Sequence, residues 1–330
     1  MNDVIHSRIS IMISALLVSG VLVCSCNKEV KTPKLLPAGE GRLAVHGGNI
    51  WYKVSGNGNA IPVVLLHGGP GFSSFYLKPF EDLGGDRQIV RYDQLGGGKS
   101  DKTADTTMFT IEHFVAELES LRNHLGVDKW HVLGHSWGTI LAVEYYKVHP
   151  EHVVSLTLSS AALDIPAWAN NAKQLVTTLS DSAQRAVRLG ETTKKYDDQS
   201  YQNALGEFYG KYVWRHPVQA DLDSTMSTFN EAIYNYMQGP SEFTITGTLK
   251  NYDATPFLKQ ITVPVLYTVG EFDEANPAFI QRFASLTPGS KVVVLKGAAH
   301  MTPWDARDEN VRAVGGFLRS VDSSMVAARE

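Results

Sequence analysis

The sequence predicts an α/β chain, a mostly parallel central sheet flanked by helices, with a helical cap inserted into it. Three observations predict it. Continuous apolar runs (62–66, 88–92, 130–133 and 153–158) read as strands buried on both faces, as parallel strands are. Segments of helical period separate them, which is the pattern of βαβ units. A polar, aromatic-rich stretch then interrupts the alternation before strand-type runs resume at 263–269 and 291–295. With 330 residues, 43% hydrophobic and only 19% charged, the chain suits one large α/β domain and excludes a disordered protein. Its 30 Lys+Arg against 34 Asp+Glu leave no electrostatic footprint for nucleic acid. Two cysteines exclude a disulfide scaffold, and no zinc-type Cys/His cluster is present.

Taken in order, Arg8 precedes the apolar run 9–23, which is too short to span a bilayer as a helix and reads as a signal peptide. Ser25 before Cys26 resembles the cleavage box of bacterial lipoproteins, whose new N-terminal cysteine carries the lipid; Cys24 departs from the small aliphatic residue commoner there. The expectation is an exported bacterial protein, lipid-anchored through Cys26 in the cell envelope, on the periplasmic side or at the outer membrane. Simple cleavage with Cys26 unmodified is the alternative. The expected organisation is signal peptide 1–25, tether 26–41, first core part 42–163, helical cap 164–250 and second core part 251–330. Within it, 43–46 and 50–54 flank Gly47-Gly48 as a hairpin. Residues 110–125 place Phe114, Leu118, Leu121 and Leu125 along one helical stripe.

Gly134-His135-Ser136-Trp137-Gly138 follows a strand and precedes a helical pattern, the context a G-x-S-x-G nucleophile turn requires. Small residues on either side let the backbone hold a strained turn that exposes Ser136 Oγ. A serine hydroxyl needs a base, and in the order Ser, acid, His the base comes last. His300, after the strand ending at Leu295, is the candidate; His149 and His152 lie at the end of the nucleophile's own helix, and His216 lies in the insertion. Of the carboxylates in Gly270-Glu271-Phe272-Asp273-Glu274, Asp273 is preferred as the acid that orients His300, with Glu271 as runner-up. His67-Gly68-Gly69-Pro70-Gly71 supplies an oxyanion loop: the N–H groups of Gly69 and Trp137 are the candidate donors. That loop lacks the Lys and Ser/Thr of a phosphate-binding P-loop. Asp93 precedes Ser136 against the expected order, so a structural role in shaping the oxyanion loop is assigned to it.

With these residues in place, the chain resembles the proline iminopeptidases, α/β-hydrolases that remove an N-terminal proline or other residue from short peptides. The resemblance spans roughly 41–318. Its markers are the HGGPG loop, Asp93-Gln94-Leu95-Gly96-Gly97-Gly98-Lys99-Ser100, the GHSWG turn, Gly239-Pro240-Ser241-Glu242-Phe243 and Asp273-Glu274. Thr139 stands where the family often has Gly. The resemblance implies that Glu242 and Glu274 bind the substrate ammonium, that the insertion is a lid whose aromatics enclose a proline ring, and that short peptides with a free N-terminus are the partners. It calls for no cofactor and no metal. Read from the residues alone, Glu242 and Glu274 stay open between this role and plain surface or helix-cap carboxylates. A carboxylesterase or small-amide hydrolase with the same triad, needing no paired acids, is the alternative function. A lipid-tethered binding protein on the same scaffold is a third reading, against which the apparent triad argues.

Overall fold

The computed structural model of the chain describes residues 35–328. The expected export segment and Cys26 lie outside them. Eight strands form one sheet: β1 (Gly39–Val45), β2 (Gly48–Ser55), β3 (Ala60–Leu66), β4 (Arg87–Asp93), β5 (Trp130–His135), β6 (Val153–Ser159), β7 (Val265–Gly270) and β8 (Lys291–Leu295). Their order is β1-β2-β4-β3-β5-β6-β7-β8. β1 and β2 are the expected hairpin, closing at Val45 opposite Gly48, and β2 pairs antiparallel with β4. Every later pair is parallel. The apolar runs of β4, β5 and β6 are buried at every position, because neighbouring strands take their backbone groups and helices cover both faces. β8 is equally apolar yet half-exposed, since it is the edge strand and pairs only with β7.

The helices on and around this sheet follow from their punctuation. In α1 (Ile111–Leu125) Thr110 caps the start by accepting the His113 N–H at 3.2 Å, and Gly126 ends it in the left-handed conformation. Phe114, Leu118 and Leu121 form its buried face. In α2 (Trp137–Val148) nine of the twelve residues are buried, the mark of a helix packed on nearly all sides.

Between β6 and β7 the chain forms α3 (Ile165–Val176), α4 (Asp181–Thr193), α5 (Gln199–Tyr212), α6 (Gln219–Met226) and α7 (Glu231–Met237). The two ends of this excursion are clipped together: the Ile165 N–H donates to Tyr252 O at 3.0 Å and the Ala254 N–H to Leu163 O at 2.8 Å. After it come α8 (Thr255–Leu258), α9 (Pro277–Leu286), α10 (Thr302–Asp305) and α11 (Arg307–Ala327). α11 is anchored by Asp322, which accepts from the buried Arg87 guanidinium of β4 at 2.8 Å and meets His131 of β5 at 3.1 Å.

The excursion grips the loops that follow the strands. The Tyr212 carbonyl at the end of α5 accepts the His300 N–H at 3.1 Å and the Glu274 N–H at 3.3 Å, and Val213 O accepts the Met301 N–H at 2.7 Å. On the opposite side the Asn230 N–H donates to Gly71 O at 2.9 Å. Backbone hydrogen bonds therefore connect the helical layer to the loops carrying His300, Glu274 and the glycine-rich segment.

Candidate active site

Ser136 sits between β5 and α2 with φ 56° and ψ −124°, a conformation costly for any residue with a Cβ. Two glycines make it sterically feasible. A Cβ on Gly134 would run into the backbone of Gly138, and one on Gly138 would run into the Leu66 carbonyl. The turn is held on both sides of the serine: its N–H donates to Ser159 O at 3.0 Å, and its carbonyl accepts from the Thr139 N–H and hydroxyl at 2.8 and 2.7 Å. Thr139, the residue that departs from the family pattern, also accepts the Ala162 N–H at 3.1 Å. Its side chain thus ties the start of α2 to the loop after β6.

His300 projects from the loop after β8, and its Nδ1 lies 2.8 Å from Asp273 Oδ1. Asp273 is buried and takes the Ala275 N–H at 2.8 Å. Burial pushes the Asp273 carboxyl up, but the charge and hydrogen bond of His300, with the Ser160 hydroxyl and the Ala275 amide, more than offset this and leave it below its ordinary value. An ionised Asp273 fixes the proton on Nδ1, leaving Nε2 as the basic nitrogen. The runner-up acid Glu271 is exposed and accepts the Gly297 N–H at 2.9 Å instead. Trp168 of α3 packs edge-on against the His300 ring, with centroids 5.5 Å apart.

The glycine-rich loop lies across a cavity from these groups. Gly68, Gly69, Ser136, His300 and Glu242 all line it, with Tyr209 and Trp214 of the helical excursion. Only about 20 Å³ of it is open, room for about one water. Gly69 has φ +114°, which only glycine adopts freely. The Gly68 N–H is already taken by Tyr76 Oη at 2.6 Å, whereas the Gly69 N–H has no acceptor among the described residues. Trp137 is the first residue of α2, where an N–H has no helical partner. Asp93 braces the neighbourhood by accepting the N–H groups of Ser74 at 2.6 Å and Lys99 at 2.8 Å.

Two carboxyl groups distinguish this site. Glu242 accepts the Tyr234 hydroxyl at 2.6 Å; burial raises its pKa, opposed by Tyr234 and by the charge of His300. Glu274 is 1% exposed, and among the described residues neither of its oxygens has a hydrogen-bond partner. Burial first, then the charges of Glu242 and Asp273, push its carboxyl well above the ordinary range. A buried carboxyl left without donors is expensive.

Several residues here were given no individual role by the sequence. His67 is buried and neutral, since burial lowers its pKa; its Nδ1 donates to Gly68 O at 2.8 Å while Nε2 accepts the Gln94 N–H at 3.0 Å. Gln94 returns a bond to His67 O at 3.1 Å and accepts the Trp137 indole N–H at 2.8 Å, linking the glycine-rich loop to the serine turn. Glu117 of α1 takes the Leu95 N–H at 3.0 Å, with burial raising its pKa to about 8. His67 and Gln94 lie inside the motifs that the sequence singles out, whereas Glu117 lies outside them.

A family model described as the α/β-hydrolase fold matches residues 61–306. A proline iminopeptidase of Heyndrickxia coagulans is 41% identical over 285 residues, which is 86% of this chain and 99% of that protein. One from Saccharolobus solfataricus is 34% identical over 291 residues, 86% of this chain and 93% of that protein. Among solved structures, the proline iminopeptidase of Mycobacterium smegmatis superposes with a TM-score of 0.78 at 30% identity, covering 87% of this chain and 99% of that one. VinJ superposes with a TM-score of 0.82 at 29% identity, covering 86% and 99%. With its sheet order, serine turn and paired carboxyls, the chain belongs to the proline iminopeptidase family of α/β hydrolases.

Proposed function

We propose that this chain is a serine aminopeptidase that releases N-terminal proline from short peptides through an acyl-enzyme. The observation that carries the reading is Glu274, a buried carboxyl with both oxygens unpartnered that feels the charge of Glu242, itself on the wall of the cavity that holds Ser136. A free ammonium or prolyl NH2+ supplies the donors that Glu274 lacks, and an acylated nitrogen does not. An ester pocket has no use for them.

In the reaction, Ser136 Oγ attacks the carbonyl carbon of residue one while its proton passes to His300 Nε2. Asp273, hydrogen-bonded at Nδ1, stabilises the imidazolium that results. The carbonyl oxygen, now negative, is held by the N–H groups of Gly69 and Trp137. Collapse of this intermediate breaks the C–N bond, and His300 returns the proton to the leaving amine. Water then attacks the acyl-enzyme, giving its proton to His300, and proline leaves as Ser136 regains its hydrogen. The narrow cavity beneath the helical layer favours small peptides over folded proteins. Assay of proline-anilide, N-acetylproline-anilide and a short-chain acyl ester tests the reading. Cleavage of the free amine with at least about a hundredfold lower kcat/KM on the acetylated form is expected, on the cost of leaving buried charges unpaired. Equal rates on both, or a marked preference for the ester, would sink it.

We infer from Arg8, the apolar run 9–23 and Ser25-Cys26 that the chain is exported and anchored by a lipid on Cys26 in a bacterial cell envelope. Labelled fatty acid entering the wild type but not a Cys26→Ser variant is the expected result; equal labelling, or none in either, speaks against the anchor.

A further inference from the structure

The x residue of the serine turn, His135, does not contact the catalytic imidazole through its ring nitrogens. Its Nε2 lies 2.9 Å from the His300 carbonyl, and its Nδ1 lies 2.9 Å from the Tyr76 hydroxyl. Tyr76 Oη in turn accepts the Gly68 N–H at 2.6 Å. A carbonyl oxygen only accepts, so Nε2 must carry the hydrogen. That leaves Nδ1 bare, and the Tyr76 hydroxyl must donate to it. The direction of every bond in the chain is thereby fixed: Gly68 N–H to Tyr76 Oη, Tyr76 O–H to His135 Nδ1, His135 Nε2–H to His300 O.

Resting on the assignment of Ser136 and His300 above, we propose that Tyr76 and His135 are positioning residues that tie the oxyanion loop to the backbone of the catalytic histidine. They fix the spacing between the amides that stabilise the oxyanion and the imidazole that moves the proton. Both side chains are almost wholly buried. The chain also stays neutral. Burial, reinforced by the nearby His300, lowers the His135 pKa to about 3, and burial raises that of the Tyr76 hydroxyl. Neutrality matters because the His135 and His300 rings are 4.8 Å apart between centroids, and His300 must become a cation during attack. A charged His135 would oppose that cation and could no longer accept from Tyr76.

The two ends are not equally dependent on this link. The His300 carbonyl also accepts from the Ser160 hydroxyl at 3.1 Å and the Thr302 N–H at 2.8 Å. The Gly68 N–H has Tyr76 alone. Cutting the bond at Tyr76 should therefore hurt more than cutting it at His300.

Three substitutions separate the ends. Tyr76→Phe removes one oxygen. In His135→Gln the side-chain amide reaches where Nε2 was, keeping the bond to His300 and losing Tyr76; in His135→Asn it reaches where Nδ1 was, with the opposite result. Each variant is measured for kcat and KM on proline-anilide and on a short-chain acyl ester, with a thermal midpoint to show that it is folded. Tyr76→Phe and His135→Gln are expected to lower kcat about ten- to a hundredfold on both substrates with KM little changed, the size of effect that displacement of a reacting group produces. His135→Asn is expected to fall least. Wild-type kcat in Tyr76→Phe, or His135→Asn poorer than His135→Gln, overturns the proposal; if Tyr76→Phe fails to fold, His135→Gln carries the same prediction. The ester arm keeps the test separate from the peptide reading: a wild type inactive on the anilide counts against that reading, while the order of the variants on the ester still decides this one.

Discussion

At the scale of single residues, the site divides by how each group could be found. Ser136, His300 and Asp273 are separated by long stretches of chain, but each lies next to a strand end with a local pattern of small residues, so order and spacing single them out. Glu242 and Glu274 have no such local mark; only the family resemblance picks them, and only the structure reveals that Glu274 has no donor for either oxygen. Tyr76, bonded to His135 across 59 positions, was invisible because a buried tyrosine looks like ordinary core, and His135 was visible only as the variable residue of the serine turn. The raised pKa values of Glu242 and Glu274 have a consequence in solution. A carboxyl binds an ammonium only when ionised, and these two give up their protons at higher pH than the ordinary 4.5. As pH falls from 7, kcat/KM for proline-anilide should drop earlier and more steeply than for the acyl ester, by at least about tenfold in their ratio, which is one pK unit of lost ionisation. Superimposable profiles for the two substrates would contradict this.

At the scale of elements, α2 and α11 show what the pattern of hydrophobicity does and does not disclose. The strand-to-helix turn before α2 was legible, but not the use of Thr139, whose hydroxyl holds both Ser136 O and the Ala162 amide in place of an expected glycine. The final helix carries Asp322, which draws Arg87 from β4 and His131 from β5. Burial opposes ionisation of Asp322, while His131 and Arg87 favour it and leave its pKa below the ordinary value. The stabilisation is therefore present above pH 3.8 and is lost as pH falls through the lowered folded value. Asp322→Ala would strand a guanidinium that is 1% exposed. The expected cost is about 3 kcal/mol, at the lower end for a broken buried pair because Asp322 itself is 22% exposed. Thermal unfolding at pH 7 should show a midpoint lower by several degrees. An unchanged midpoint would mean that α11 is held by its apolar face alone.

At the scale of the molecule, the parallel sheet was legible because strands buried on both faces must be continuously apolar, and the inserted helices because that pattern stops and resumes. The exposure of β8 was not, since an edge strand and a central one can share a composition. Nor was the division of labour among the aromatics: Tyr201 and Phe208 pack inside the helical layer, while Tyr209 and Trp214 face the serine. Only the fold decides between these uses of one spacing. The layer grips the loops of His300 and Glu274 through the Tyr212 carbonyl, so on the proposed role of Glu274 substrate selection would belong to sheet and helices together. On the proposed reading, the two buried carboxyls select a free N-terminus. The most direct measurement is the ratio of kcat/KM on proline-anilide to that on the acyl ester, in wild type and in Glu274→Gln. A fall in this ratio of about a hundredfold or more, with ester hydrolysis kept within about threefold of wild type, is the predicted result, matching the loss of a charged hydrogen-bond partner in a buried site. A ratio that does not change would contradict it and return the protein to the esterases.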